Sequence, residues 1–318
     1  MILDVGLLVG GLLVLALGGE FLVKGSVVVA KALLISPLVI GMTIVSFGTS
    51  APELLVSLQS ALNGSPGIAI GNVVGSNIAN IALVLGLTVI IFPVVPGRQT
   101  KRVDWPMLVL ATLLFIVFAL DGQIQSWEGI LLFVFLVIFT VVLVVKSRRD
   151  SGLSKREDNQ ETGKSAVWVA SIYILIGFVA LYFGAEWLIK GAVNIAKSLE
   201  MEEHVIGLTI VAFGTSAPEL VTSAVAAYRK QTDISLGNLV GSNIFNIMAV
   251  IGITAMAHPI AVKESVLYFD FWWMLGIAIG LGVMLFVGSR IGRIKGFVLF
   301  LTYLVYIALL IFREGHLV

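Results

Sequence analysis

The chain contains no cysteine, only three histidines and little charge. Without cysteine there is no disulfide framework, no thiolate metal site and no thiol nucleophile. His204, His258 and His316 are not spaced as a metal or acid/base pair. Charged residues make up 12% of the 318, against about 25% in an ordinary globular protein, and 58% are hydrophobic. Twenty Lys+Arg and 19 Asp+Glu cannot coat a soluble surface of this size. A net charge of +1 removes the electrostatic case for a nucleic-acid partner. With a mean hydropathy of +1.06, the chain reads as an integral membrane protein.

About 20 mostly apolar residues are needed to cross a bilayer as a helix. Ten segments qualify: 2–19, 38–62, 68–92, 105–120, 127–146, 166–187, 205–228, 234–257, 268–288 and 296–312. They lack the alternation of a barrel strand. The first carries Asp4 and no basic leader, and LGGEFLVKG (17–25) recurs as FGAEWLIKG (183–191), so it reads as a retained helix rather than a signal peptide. Trp105, Trp127, Trp168 and Tyr268 suit interfacial belts, and Asp4, Asp121 and Asp270 are expected to meet water at span ends. Glu20/Lys24 and Glu186/Lys190 read as local i,i+4 ion pairs.

The repeat extends much further. GMTIVSFGTSAPELLVS (41–57) returns as GLTIVAFGTSAPELVTS (207–223), and GNVVGSNIANIALVLGLT (71–88) as GNLVGSNIFNIMAVIGIT (237–254), at a constant offset of 166 without a gap. Five spans per copy is odd, so the second copy enters the membrane from the opposite side. With the N-terminus outside, only Lys190, Lys197, Lys263 and Arg313 of the 20 Lys+Arg fall on the outer side, which obeys the positive-inside rule. The expected fold is all-α: ten transmembrane helices as two inverted five-helix repeats, 1–146 and 166–318, with discontinuous helices at an ion site. A polar cytoplasmic linker, 147–165, joins them, and both termini lie outside a cell membrane.

Glu53 and Glu219 stand inside apolar spans, where a carboxylate costs at least ~2.5–3.5 kcal/mol, and no Lys or Arg lies near mid-span to neutralise either. The Gly of FGTSAPE loosens the helix and the Pro frees carbonyls one turn back. Thr49, Ser50, Thr215 and Ser216 add hydroxyls. Carboxylate, hydroxyl and carbonyl oxygens together suit a hard cation such as Ca²⁺ or Na⁺. Ser76 and Asn80, and Ser242 and Asn246, are four apart and share a helical face. Asn77 and Asn243 point elsewhere and read as bridges between helices. Asn72 and Asn238 are ligands or interhelical glue, and Gly71/Gly75 and Gly237/Gly241 have the small-xxx-small spacing of close packing.

These paired motifs and the polar loop after the fifth span resemble the cation/calcium exchangers, most closely prokaryotic sodium/calcium exchangers, over essentially the whole chain. The resemblance implies alternating access around midplane ion sites, with Ca²⁺ and Na⁺ as transported ions and no prosthetic group. Glu53 and Glu219, with the carbonyls of Thr49 and Thr215, would hold Ca²⁺. Ser50 and Ser76, Ser216 and Ser242, and the carbonyls of Ser46 and Ala212 would form flanking Na⁺ sites, with Asn80 at the centre. Asn246 stands where relatives often carry Asp, leaving two carboxylates and opening the questions of potassium dependence and of proton or sodium coupling. A proton/calcium antiporter uses the same site. A channel would need a symmetric ring around a membrane-normal axis. An intramembrane protease would need a base that no His supplies at mid-membrane. The expectation is a non-enzymatic antiporter that works as a monomer.

Overall fold

The computed structural model describes residues 2–154, 164–199 and 212–315. The start of the seventh expected span, linker residues 155–163, His204 and His316 lie outside the described residues. The first half contains α1 (Ile2–Leu33), a bent pair α2 (Pro37–Thr49) and α3 (Ala51–Leu62), α4 (Pro66–Ile91), α5 (Thr100–Ala119) and α6 (Ser126–Ser154). The second contains α7 (Lys164–Ser198), α8 (Ala212–Thr215), α9 (Ala217–Tyr228), α10 (Thr232–Ala257), α11 (Val266–Phe286) and α12 (Arg293–Gly315). Eight of these helices are long and apolar enough to cross a bilayer, and the bent pair makes a ninth span. Element bounds repeat the offset of the sequence: Pro66–Ile91 corresponds to Thr232–Ala257, and Ala51–Leu62 to Ala217–Tyr228, both 166 residues on.

α1 and α7 are equivalent helices packed antiparallel through their backbones. Gly11 faces Gly184 and Leu188, Gly18 faces Gly177 and Leu181, Gly25 faces Ala170, and Gly191 faces Asp4 and Leu8. A methyl group at any of these glycines would overlap the opposite chain. Helix association in lipid depends on such close van der Waals approach, because burial from lipid adds no hydrophobic drive. With 32 and 35 residues, α1 and α7 overrun the expected 2–19 and 166–187. At about 1.5 Å per residue they exceed a ~30 Å hydrocarbon core. The charged residues taken for a span end lie within the helix: Glu20 binds Lys24 at 2.9 Å and also pairs with Arg229, at the C-terminus of α9.

α4 and α10 form the centre; 78% and 83% of their most apolar windows are buried, against 22% in α1, α7 and α12. Each contains a π-helical stretch, Ala79–Leu85 and Asn246–Ile251, at equivalent positions. Two short backbone ladders tie the halves together: β1 (Gln123–Ile124) pairs antiparallel with β2 (Ile260–Ala261), and Val94 with Ile291. The two ladders exchange under the same offset, to within a residue.

Three expectations are corrected. Trp105 is no belt residue: its span starts at Thr100, and its indole N–H donates to the Ala278 carbonyl of α11 at 2.8 Å. Asp270 does not meet bulk water; it is 7% exposed, accepts a 2.9 Å hydrogen bond from the Tyr306 hydroxyl and lies 3.9 Å from Arg313. The linker does not begin as loop at 147, since α6 continues to Ser154. Trp127, Trp168 and Tyr268 are exposed, as belts require.

Candidate cation site

The break in FGTSAPE is the same in both copies. Ser50 (φ −88°, ψ 3°) separates α2 from α3, and Ser216 (φ −86°, ψ 2°) separates α8 from α9. α2 and α3 meet at 45°. Pro52 has no N–H, so the Gly48 carbonyl loses its helical donor, and Pro218 does the same to Gly214. The glycines have a second reason beyond flexibility: the Phe178 ring fills the space of a side chain at Gly48, and Ile189 that at Gly214. Both partners belong to α7, which therefore lies against both breaks.

Glu53 and Glu219, in the first turns of α3 and α9, are fully buried. Thr49, Ser50, Ser46, Asn80, Ser242 and Asn246 have no exposed surface, and Ser216, Ser76 and Thr215 retain 2%, 4% and 6%. Ala212 opens α8. Both oxygens of Glu53 and Oε2 of Glu219 have no hydrogen-bond donor, and no described Lys or Arg forms an ion pair with either carboxylate. Buried carboxylates left this way are costly unless a cation or proton joins them.

Hydrogen bonds bring the two halves together. Ser50 Oγ donates to Glu219 Oε1 at 3.1 Å, and Asn246 Nδ2 donates to Ser76 Oγ at 3.0 Å. Thr49 Oγ1 donates to Asn238 Oδ1 at 3.1 Å and lies 3.3 Å from Ser242 Oγ, while Ser46 Oγ donates to the Asn238 carbonyl at 3.0 Å. The contacts are not symmetric. Ser216 Oγ, the counterpart of Ser50 Oγ, has no partner, nor does Asn80, the counterpart of Asn246, through either amide atom. In these two repeat-related pairs one member is made and the other is not.

A symmetric scaffold surrounds this asymmetric centre. Asn72 Nδ2 donates to Ser57 Oγ at 3.0 Å, and Asn238 Nδ2 donates to Ser223 Oγ at 3.0 Å. These asparagines tie α4 to α3 and α10 to α9. Ser57 and Ser223 were not singled out from sequence, although the last residue of each motif copy is this serine. Asn77 bridges as expected, donating to the Asn243 carbonyl at 3.3 Å, but Asn243 does not: its amide donates to the Leu239 carbonyl of its own helix at 2.7 Å. Gly237 and Gly241 pack against Leu38, Met42 and Ser46, whereas Gly71 and Gly75 have nothing within 4 Å among the described residues. Along the same stretch Gly71 is exposed and Asn72 half-buried, while Gly237 and Asn238 are buried.

The chain is similar to known proteins along nearly its whole length. The family profile described as "Sodium/calcium exchanger protein" matches residues 3–145 and again 169–312. The chain is 35% identical to a putative antiporter, CaxA, of Alkalimonas amylolytica over 302 residues, covering 93% of this chain and 95% of that one. It is 30% identical to the sodium/calcium exchanger MaX1 of Methanosarcina acetivorans over 342 residues, covering 95% and 97%. Among solved structures, the sodium-calcium exchanger NCX_Mj soaked with 10 mM Na⁺ and zero Ca²⁺ superposes with a TM-score of 0.85 at 32% identity, covering 96% of this chain and 98% of that one. Two buried, donor-poor carboxylates at repeated helix breaks, in a chain matched along nearly its whole length, place this protein in the sodium/calcium exchanger protein family.

Proposed function

We propose that this chain is a secondary active antiporter that exchanges Ca²⁺ for Na⁺ by alternating access of one central site. The observation that carries the reading is the pair Glu53 and Glu219: fully buried, met by no basic group, and surrounded by hydroxyl and amide oxygens from both halves. Carboxylates with hydroxyl and carbonyl oxygens form the hard donor set that Ca²⁺ and Na⁺ prefer. Glu53 and Glu219, with the Thr49 and Thr215 carbonyls, bind Ca²⁺. Ser50 and Ser76 serve one flanking Na⁺ site, Ser216 and Ser242 the other, with the Ser46 and Ala212 carbonyls, and Asn80 and Asn246 line the centre.

Exchange follows from charge. Two bare carboxylates 4 Å apart repel by on the order of 4 kcal/mol at an effective dielectric of 20. A site carried through an occluded state therefore needs a cargo in each direction. Ca²⁺ neutralises it on one journey and Na⁺ on the other. The fold divides into ten spans as two inverted repeats, 1–146 and 166–318, with 205–228 as the remaining span. The antiparallel packing of α1 on α7 and the exchange of the two ladders under the 166-residue offset support this division. Both termini lie outside and 147–165 is cytoplasmic, on the charge bias of the loops. In that orientation Gly71 lies toward the outside and Gly237 toward the inside.

Proton coupling is the second reading, favoured by the amide at Asn246, which leaves only two acids to be neutralised. The test is ⁴⁵Ca²⁺ uptake into Na⁺-loaded proteoliposomes diluted into Na⁺-free buffer at clamped pH, repeated with a pH gradient instead. Uptake driven by sodium alone is expected; uptake driven by pH alone would replace sodium with protons. Glu53→Gln or Glu219→Gln is expected to lower uptake more than about a hundredfold, since unbalancing a buried charge costs on the order of 3–5 kcal/mol. Retained uptake in either variant would overturn the site.

A further inference from the structure

The connection between α11 and α12 forms an open cavity of about 530 Å³, lined by Pro93, Arg290, Gly292, Arg293, Ile294 and Lys295. Lys295 is occupied: its ammonium donates to the carbonyls of Met284 and Arg290 at 2.8 and 2.9 Å, and also to that of Val287, closing the C-terminal end of α11. Arg290 and Arg293 are exposed and have no ion-pair or hydrogen-bond partner among the described residues. The Arg290 side chain folds back over Gly292, so that its Nε would lie 3.9 Å from a Cβ there. The Val94–Ile291 ladder fixes the wall opposite. Ile294 of the lining is exposed, as are Phe286, Val287 and Phe297 on the adjoining ends of α11 and α12.

The other half supplies an internal control. The equivalent connection, between α5 and α6, has the equivalent ladder, Ile124 with Ile260. Its sequence, LDGQIQSWEG (120–129), contains no Lys or Arg and two acids. The backbone therefore does not require cations at this turn. In the proposed orientation the α11–α12 turn is cytoplasmic and the α5–α6 turn is outside, so the positive-inside rule accounts for basic residues here. What is particular to the α11–α12 turn is the cavity that Arg290 and Arg293 line. An acid partner would have removed the charge; none among the described residues does so. Cations lining a cavity beside exposed apolar side chains, at the end of two spans, match a ligand with a phosphate on one side and hydrocarbon on the other.

We infer that this cavity binds the headgroup phosphate of an anionic phospholipid, with Arg290 and Arg293 on the phosphate and Phe286, Ile294 and Phe297 along the acyl chains. The inference does not depend on the transported ions. It is tested on the delipidated full-length protein in neutral detergent, titrated with phosphatidylglycerol or phosphatidylcholine and followed by native mass spectrometry. Phosphatidylglycerol should be retained in preference to phosphatidylcholine, and millimolar inorganic phosphate should not displace it. Each basic residue near a membrane surface contributes roughly fivefold, so Arg290→Gln with Arg293→Gln should lower the preference about 25-fold. Arg148→Gln with Arg149→Gln, exposed on α6, should leave it unchanged. Equal retention by the double variant would overturn the inference. So would an equal loss in the α6 control, which would indicate diffuse surface charge, or displacement by inorganic phosphate, which would indicate a site for free anions. If the double variant fails to fold, Arg293→Gln alone must lose about fivefold.

Discussion

Ser50 and Ser216 occupy the same place in the same motif, yet only Ser50 holds a carboxylate, at 3.1 Å. A hydroxyl that donates to Glu219 in one arrangement can turn its lone pairs to a small cation in another, because it is both donor and acceptor. Removing either hydroxyl is expected to raise the Na⁺ concentration that drives half-maximal uptake about five- to tenfold, the scale of one lost hydrogen bond or ligand oxygen. Ca²⁺/Ca²⁺ exchange should survive in both Ser50→Ala and Ser216→Ala. Measuring ⁴⁵Ca²⁺ uptake against internal Na⁺ checks this, and an unchanged Na⁺ dependence in both variants would remove the serines from the sodium sites. Most of this residue-level chemistry is legible in the sequence, because a carboxylate inside an apolar run needs a reason and the motif repeats it. The hydrogen bonds are not legible. Identical motifs imply identical contacts, and the choice between Ser50 and Ser216 is made by packing beyond the motif. Ser57 and Ser223 also escape notice, since a serine near a helix end is ordinary until an asparagine is found on it.

Among the helices, the contact of α1 with α7 rests on glycines seven residues apart on each, 11, 18 and 25 against 177, 184 and 191. Overpacking such a contact costs about 1–3 kcal/mol. Gly18→Val is therefore expected to lower the thermal unfolding midpoint in detergent, whereas Gly10→Val, which meets nothing within 4 Å, should not. An equal effect of the two would contradict the packing. A second contact of α1 is polar: Glu20 bridges Lys24 of its own helix and Arg229 at the end of α9. The corresponding position in the first half is Asn63, so this tie has no charged counterpart there. In the proposed orientation it lies toward the inward side, beside the start of α10. Arg229→Gln should speed labelling of a cysteine placed at Ser235 by a membrane-impermeant thiol reagent added on the cytoplasmic side. Such partners are hard to foresee, because lipid and protein interior are both apolar. An apolar run specifies a span but not which face is buried, and for that reason Trp105 and Asp270 sit inside the protein rather than at its rim.

For the molecule as a whole, the absence of cysteine makes topology directly measurable. A single cysteine at Ile2 is expected to react from the outside of intact cells and one at Asp150 only after the membrane is opened; the reverse pattern would invert the orientation. The all-helical membrane fold was legible from its apolar runs, and the recurrence of helix bounds 166 residues on from the gapless repeat. What exceeded it was length, because α1 and α7 continue past the charges that mark a span end in simpler helices. The half-made set of hydrogen bonds has a consequence for energy. Ser50 on Glu219 and Asn246 on Ser76 would be exchanged, in the opposite-facing state, for Ser216 on Glu53 and Asn80 on Ser242. Those two sets are the same chemistry under new numbers, so these bonds carry almost no preference for either state. Any resting bias must be written where the halves disagree: in the centre at Ser46, which donates to the Asn238 carbonyl, against Ala212, and farther out at Arg229 against Asn63 or at Arg290 against Ile124. Substitutions far from the ions would then set which way the empty protein waits, leaving affinity for its cargo untouched.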